Sequence, residues 1–472
     1  MGKGVGKGVG KGVGKGVGTV VHRRITYFLT FLHSYFLRKK RRALNPSRKG
    51  ITYHQKQAMQ RAATAMYKRV EQKFYLLDLD DDVLLCLARC VGIRSLPQLC
   101  LVSRRFRDLV VPSLRCLRPL TTKPFGIPFH AMNASAPEEL PSFNGKEINK
   151  DDITAFSRAV ANGALSQLTR LKLENNIFGH VGMTSLADAL GKGALASLNG
   201  LSVRTNQIRD AGITALATAV GSGALAKLSK LFLEQNEIGE VGMAAFAEAV
   251  SNGALASLKT LQLSYNPIGD GGMKALASAL SSGALAQARS ISLIDNSIGE
   301  EGMSALASAC TSGASGAGGA LASLETLRLG YNAIGDAGMT AFANAVGKGA
   351  LPALQTLMLN NNGIGDPGIA SFADAVSRGA LSQLYRLALK ANVIGDVGMT
   401  AFALATSAPG SVPALNNLYI FDNEIGDTGM TALASVLVDN AASLPSLKDL
   451  VVDDEQHPRL MVACKARDII LR

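Results

Sequence analysis

Tryptophan is absent from this 472-residue chain, and aromatic residues of all kinds make up only 5% of it. A core dominated by large rings is therefore excluded. Beside 47% hydrophobic residues and 49 Gly, the shortage points to regular packing of aliphatic and small side chains. That apolar share can support a large core and excludes wholesale disorder. Cysteine is also scarce: there are six, four of them (Cys86, Cys90, Cys100, Cys116) in one short stretch. They do not make a disulfide scaffold, and a reduced, intracellular setting is expected. Cys86 and Cys90 share a helix face, but there is no Cys-x-x-Cys knuckle and the nearest following His is His130. Small apolar core positions fit them better than zinc. No apolar run reaches the roughly 18–20 residues that cross a bilayer.

Acidic residues are missing from the first 70 positions, which hold 17 Lys and Arg. The formal net charge of +13 is thus local, because residues 71–472 carry 32 basic against 36 acidic side chains, net −4. Nucleic-acid binding through the body of the chain is not expected. Chemistry is missing as well. The six His (22, 33, 54, 130, 180, 457) are scattered, and no Walker loop, zinc-protease helix or Gly-x-Ser-x-Gly elbow occurs. The expectation is a non-enzyme with no catalytic residues, no cofactor and no metal.

The chain opens on Met-Gly followed by Lys-Gly-Val-Gly four times. Gly at every second position denies this stretch a packed face. The Gly spacing is not a phosphate loop, since no strand precedes it and no Lys-Ser/Thr follows. Gly6 stands where a myristoylation signal needs Ser or Thr. Residues 25–37 are apolar and aromatic, between Arg23-Arg24 and Arg38-Lys39-Lys40-Arg41-Arg42. Four readings stay open: a solvated tail, an organelle transit segment, a nuclear import signal, or an interfacial helix whose bases contact anionic lipid through residues 23–42. The segmentation read from composition is a basic low-complexity tail (1–50), a basic helix (51–74), a helical unit (75–120), a Pro/Ser/Thr-rich linker (121–142) and a periodic domain (143–472).

Within the helical unit, Val83, Leu84, Leu87 and Val91 fall at helical spacing, as do Leu99, Val102, Phe106 and Leu109. Two such short helices bury themselves poorly and usually dock on something. Asp81-Asp82-Val83-Leu84-Leu85 and Leu101-Val102-Ser103-Arg104-Arg105-Phe106-Arg107-Asp108-Leu109 resemble the F-box, over roughly residues 76–113. The family usually carries Leu-Pro at its start, where this chain has Leu79-Asp80. The resemblance implies docking on the Skp adaptor of cullin-based ubiquitin ligases, through Leu79, Val83, Leu84, Leu87, Leu99, Val102 and Phe106. The alternative is a helical cap or linker that buries the same residues internally.

From Phe143 the chain is periodic. Asn recurs at 176, 206, 236, 266, 296, 332, 362, 392 and 423, in steps of 30 apart from one of 36 and one of 31. Each unit reads Leu-x-x-Leu-x-Leu-x-x-Asn-x-Ile-Gly-Asp-x-Gly-Met-x-Ala-Leu-Ala with small variations. The spacing predicts a short strand through Leu261 and Leu263, a turn at Asn266 and a helix after Asp270. A buried Asn column would satisfy the backbone of neighbouring turns. Asp270, with Asp210, Glu240, Glu300, Asp336, Asp366, Asp396 and Asp427, is expected to cap the helix it begins. Gly283 would end that helix. Repeats of this kind stack into a solenoid.

The array resembles leucine-rich repeats of the ribonuclease-inhibitor type, over about 143–452. The resemblance implies an α/β horseshoe with parallel strands on its concave side, here preceded by a small all-α F-box-like unit and a disordered basic tail. Partner-specific residues must lie where the repeats differ. Phe232, Tyr265, Arg328, Tyr331, Met358, Tyr419 and Phe421 are the candidates, because aromatics and Arg dominate protein interfaces. Arg209 breaks one Ile-Gly-Asp turn. The Ran GTPase-activating protein supplies a loop Arg or Asn from similar repeats, but its distinctive loop and acidic tail have no counterpart here. The expected function is substrate recognition in a Skp–cullin–F-box ubiquitin ligase, with an unidentified protein substrate on the concave face. The alternative is a non-enzymatic scaffold or sensor, membrane-tethered through residues 25–42. An intracellular location, cytoplasmic or nuclear, accompanies the first reading.

Overall fold

A computed structural model describes residues 143–472, apart from 164, 313–318, 409, 441 and 454–456. The helical unit expected over residues 75–120, the seven residues expected to dock an adaptor, the linker and the basic tail lie outside the described residues. Helix α1 (Lys150–Ala161) is followed by strand β1 (Arg170–Lys172), and helices and strands alternate from there to helix α11 (Pro458–Ala466) and strand β11 (Ile470–Leu471). The eleven strands among the described residues form one parallel sheet whose order follows the chain. The register keeps equivalent residues side by side, as in Leu231↔Leu261↔Ile291. The long step is absorbed between the helix Glu300–Ser312 and the strand Thr326–Arg328, and the pairing Ser290↔Thr326 is undisturbed.

Each unit is three layers in miniature. Leu261 and Leu263 point inward from the strand side and are fully buried. The helix Glu240–Ser251 buries Met243, Phe246, Ala247 and Val250, which share one face at i, i+3, i+4 and i+7. Ala at the contact lets successive helices approach, and Phe372 stacks on Phe402 of the next repeat with ring centroids 6.4 Å apart. Packed helices need about 8–10 Å between axes, whereas strands need only about 4.8 Å. Stacking both at one repeat per step forces the sheet to the inner arc, so its outer face is concave.

The Asn column forms a ladder. Asn266 Nδ2 donates to the carbonyls of Leu263 (2.7 Å) and of Leu233 in the preceding repeat (3.1 Å). Its Oδ1 accepts the N–H groups of Asn236 (2.9 Å) and Ile238 (3.1 Å). Gly283, at φ +92°, follows the helix Gly269–Ser281 and turns the chain back toward the sheet. Two residues later Leu285 is left-handed too (φ +57°), as are Leu165, Leu195, Leu225 and Leu255. This conformation costs an L-residue about 1–2 kcal/mol. Burying the Leu side chain contributes roughly 1.5–3 kcal/mol and offsets it.

One expectation is corrected. The acidic column does not cap its own helices. The N-cap positions are Gly239, Gly365, Gly395 and Gly426 in four repeats, with no side-chain cap bond. Asp270 Oδ1 instead accepts the N–H of Gly299 (2.7 Å) and Gly302 (2.9 Å), at the start of the following repeat's helix. Asp336 holds Gly365 and Gly368 in the same way. The carboxylates sit in the first turn of their own helices, and those of Asp210, Glu240, Asp270, Asp336, Asp366 and Asp396 reach across the stack to N–H groups of the next repeat.

Candidate protein-binding face

Leu261 and Leu263 fix the strand's inner face, so the residues that alternate with them project from the concave face. Strand pairing aligns these into a row: Ser202, Phe232, Gln262, Ser292, Arg328, Met358, Ala388, Tyr419. Arg328 and Met358 are therefore direct neighbours. Phe232 stands three strands before Arg328, roughly 14 Å away at about 4.8 Å per strand. Phe232, Arg328, Met358, Tyr419 and Phe421 are half-buried. Tyr265 and Tyr331 line the rim, each 49% exposed, in the left-handed position that every repeat uses just before its Asn. The structure thus gathers the candidates on one surface, but as separate groups.

The two ends of that surface are already engaged. At the C-terminal end Lys390 Nζ lies 4.9 Å from the centre of the Phe421 ring. The Tyr419 hydroxyl donates weakly to Asp449 Oδ2 (3.4 Å), whose other oxygen faces Arg472 Nε at 3.5 Å. At the N-terminal end is a charged strip that the sequence reading missed: Glu174, Arg204 and Glu234, one from each of three successive repeats. Ser202 Oγ donates to Glu174 Oε1 (2.7 Å), and Arg204 Nε lies 3.3 Å from Glu234 Oε1. Burial pushes the Glu234 carboxyl above its ordinary range; its backbone hydrogen bond and Arg204 pull it down, and Glu174 adds to the rise. The signal was the acid–base–acid alternation in the residues that follow Leu173, Val203 and Leu233.

Among the described residues there is no group of three or more His, Cys, Asp or Glu that could hold a metal. Cys310 and Cys464 are free and buried, and burial pushes their thiols up to about 12 and about 11. Arg209, at φ +58°, pairs with Glu237 at 2.8 Å on the surface. Among the described residues no helix is long and apolar enough to cross a membrane.

The Leucine Rich repeat family model matches residues 254–277, 320–343, 351–373 and 415–434. The chain contains leucine-rich repeats, and its described part is a leucine-rich-repeat solenoid. No curated protein matches it. Among solved structures it is similar to an internalin (inlF) from Listeria monocytogenes, at 18% identity and TM-score 0.43, over 76% of this chain and 93% of that one. It is also similar to the functional domain of InlJ from Listeria monocytogenes, at 14% identity and TM-score 0.39, over 71% of this chain and 52% of that one.

Proposed function

We propose that the chain is a non-enzymatic binding protein that holds a protein partner on the concave face of its repeats. The observation that carries this is the contrast between columns. The inward Leu positions of the strands repeat nearly unchanged, whereas the row that alternates with them runs Phe232, Gln262, Ser292, Arg328, Met358, Ala388, of which Ser292 and Ala388 are buried. An architectural lattice has no use for that variation, and Phe, Tyr, Met and Arg are the types that anchor interfaces. The 30-residue period with a complete helix in each unit supports reading the repeats as ribonuclease-inhibitor type.

The finer reading is a substrate-recognition subunit of a Skp–cullin–F-box ubiquitin ligase. It is supported by the sequence of residues 101–109 and by the pairing of a small apolar unit with a binding solenoid. The chain would raise the local concentration of its bound protein at the ligase and perform no chemistry itself. Co-purification of the full chain with a Skp-type adaptor tests it. Binding should be lost on Leu84→Asp with Leu87→Asp. If no adaptor binds, or binding survives that double change, the ligase reading fails and the scaffold reading stands. Residues 25–42 favour a membrane-tethered form of that scaffold. Flotation with anionic vesicles, lost on deleting residues 1–50, would support the tether; an intact chain that stays at the bottom of the gradient would sink it.

A further inference from the structure

Three consecutive repeats place a carboxylate between two exposed tyrosines. Tyr265 donates its N–H to Ile294 O (2.7 Å), Asp295 to Gly330 O (3.0 Å), and Tyr331 to Asn360 O (2.8 Å). These bonds seat the three residues one repeat apart along the rim. All share the left-handed backbone, with φ of +61°, +53° and +56°. Their Cα–Cβ bonds therefore leave the chain in parallel. Each step is about 4.8 Å, so the tyrosines stand about 10 Å apart with Asp295 midway. Both rings are 49% exposed, and the Asp295 side chain is exposed with no hydrogen bond or ion pair among the described residues.

A cation is attracted to a ring face within about 6 Å of its centre. A group midway between Tyr265 and Tyr331 stands about 5 Å from each along the rim, at the position of Asp295. The same lattice already makes one such contact internally, between Lys390 and Phe421 of the next repeat at 4.9 Å. A carboxylate adds a charge-assisted hydrogen bond to an arginine or lysine donor. The flanking residues of the row, Gln235 and Asn361, are uncharged. The one nearby cation without a partner among the described residues, Arg328, lies on the strand leading to Tyr331. It disfavours a polycationic strand and leaves room for a single basic side chain.

We propose that Tyr265, Asp295 and Tyr331 form a receptor for one arginine or lysine side chain of the protein partner. The inference rests on the concave face being the binding surface. It is tested by panning a phage-displayed library of random 12-residue peptides against the full chain, then measuring the affinity of the enriched peptides. Arg or Lys should be enriched. Asp295→Asn should weaken the selected peptides at least about tenfold, the scale of a lost charged hydrogen bond. Tyr265→Asn and Tyr331→Asn should weaken them too, and Tyr265→Phe should not. Asn is safe for folding there, since Asn175 and Asn361 hold the same position at φ +55° and +54°. Peptides that lack a basic residue, or that tolerate Asp295→Asn while depending on Phe232 or Met358, overturn this proposal and leave concave-face binding intact. If no selected peptide depends on any concave residue, both readings fall.

Discussion

Asp366 caps Gly398, thirty-two residues onward and one repeat away. Its Oδ1 accepts the Gly398 N–H at 2.8 Å and the Gly395 N–H at 2.7 Å. Those are the N-cap and third positions of the helix Asp396–Thr406. A Cβ on Gly398 would lie 2.6 Å from Asp366 Oδ1 and 3.0 Å from its Cα. One contact thus explains both ends of the Gly-Asp-x-Gly signature: the acid reaches forward, and the glycine of the next unit lets it in.

Asp366→Ala should therefore destabilise the wrong helix from a sequence viewpoint. The expected loss is about 1–2 kcal/mol, the range of a removed cap. Hydrogen exchange should speed up at Gly395 and Gly398 while the start of Asp366–Ser377 stays protected. Faster exchange confined to residues 366–369 would mean that the acid serves its own helix after all.

The Asn column is uniform in sequence but not in bonding. Asn266 accepts two N–H groups and donates to three carbonyls. Asn296 Oδ1 has no partner, because the Ile268 N–H, whose counterpart Ile238 bonds Asn266 Oδ1, goes instead to Asn266 O. Asn266→Ala should cost on the order of 3–5 kcal/mol by stranding several buried groups, and Asn296→Ala clearly less. Equal losses in chemical denaturation would show that the ladder works as a spacer rather than through these bonds.

The period, the strand–turn–helix unit and the Asn ladder were legible in the sequence because each recurs in every repeat. The direction of the acid cap was not. Own-repeat and next-repeat donors are the same residue types, and only the stacking offset decides between them. The left-handed Leu195 and Leu225 were hidden for another reason: an apolar residue in a loop signals burial, not backbone sign. On the concave face, the varied row was readable as an exception to the period. The Glu174–Arg204–Glu234 strip was not read, since its meaning depends on strand register bringing residues 30 apart together.

Glu234 gives a pH signature. Its carboxyl titrates above the ordinary 4.5, chiefly through burial. Between that value and its raised folded pKa, the native state holds a proton that the unfolded chain has released. Stability therefore falls as pH rises through this window, and the full penalty persists above it. Glu234→Gln removes the penalty but not the side chain's size. The difference in stability between variant and parent should move in the variant's favour from pH 4 to pH 7. A difference independent of pH, measured by urea denaturation, would mean that Arg204 fully compensates the buried charge.

At the C-terminal end of the stack, His457 takes the place that glycine N–H groups hold elsewhere. Its Nε2 lies 3.0 Å from Asp427 Oδ1, the last acid of the column. Its Nδ1 accepts the Leu460 N–H at 3.2 Å, capping the helix Pro458–Ala466. A neutral ring with its proton on Nε2 satisfies both contacts at once. His457→Ala should fray this helix at a local cost of about 1 kcal/mol. His457→Asn can still accept from Leu460 but is too short to reach Asp427, so it should fall between parent and Ala. The readout is amide exchange at Leu460 and Met461. If Asn protects no better than Ala, the ring serves as packing alone, and the acid column ends without a partner that matters to stability.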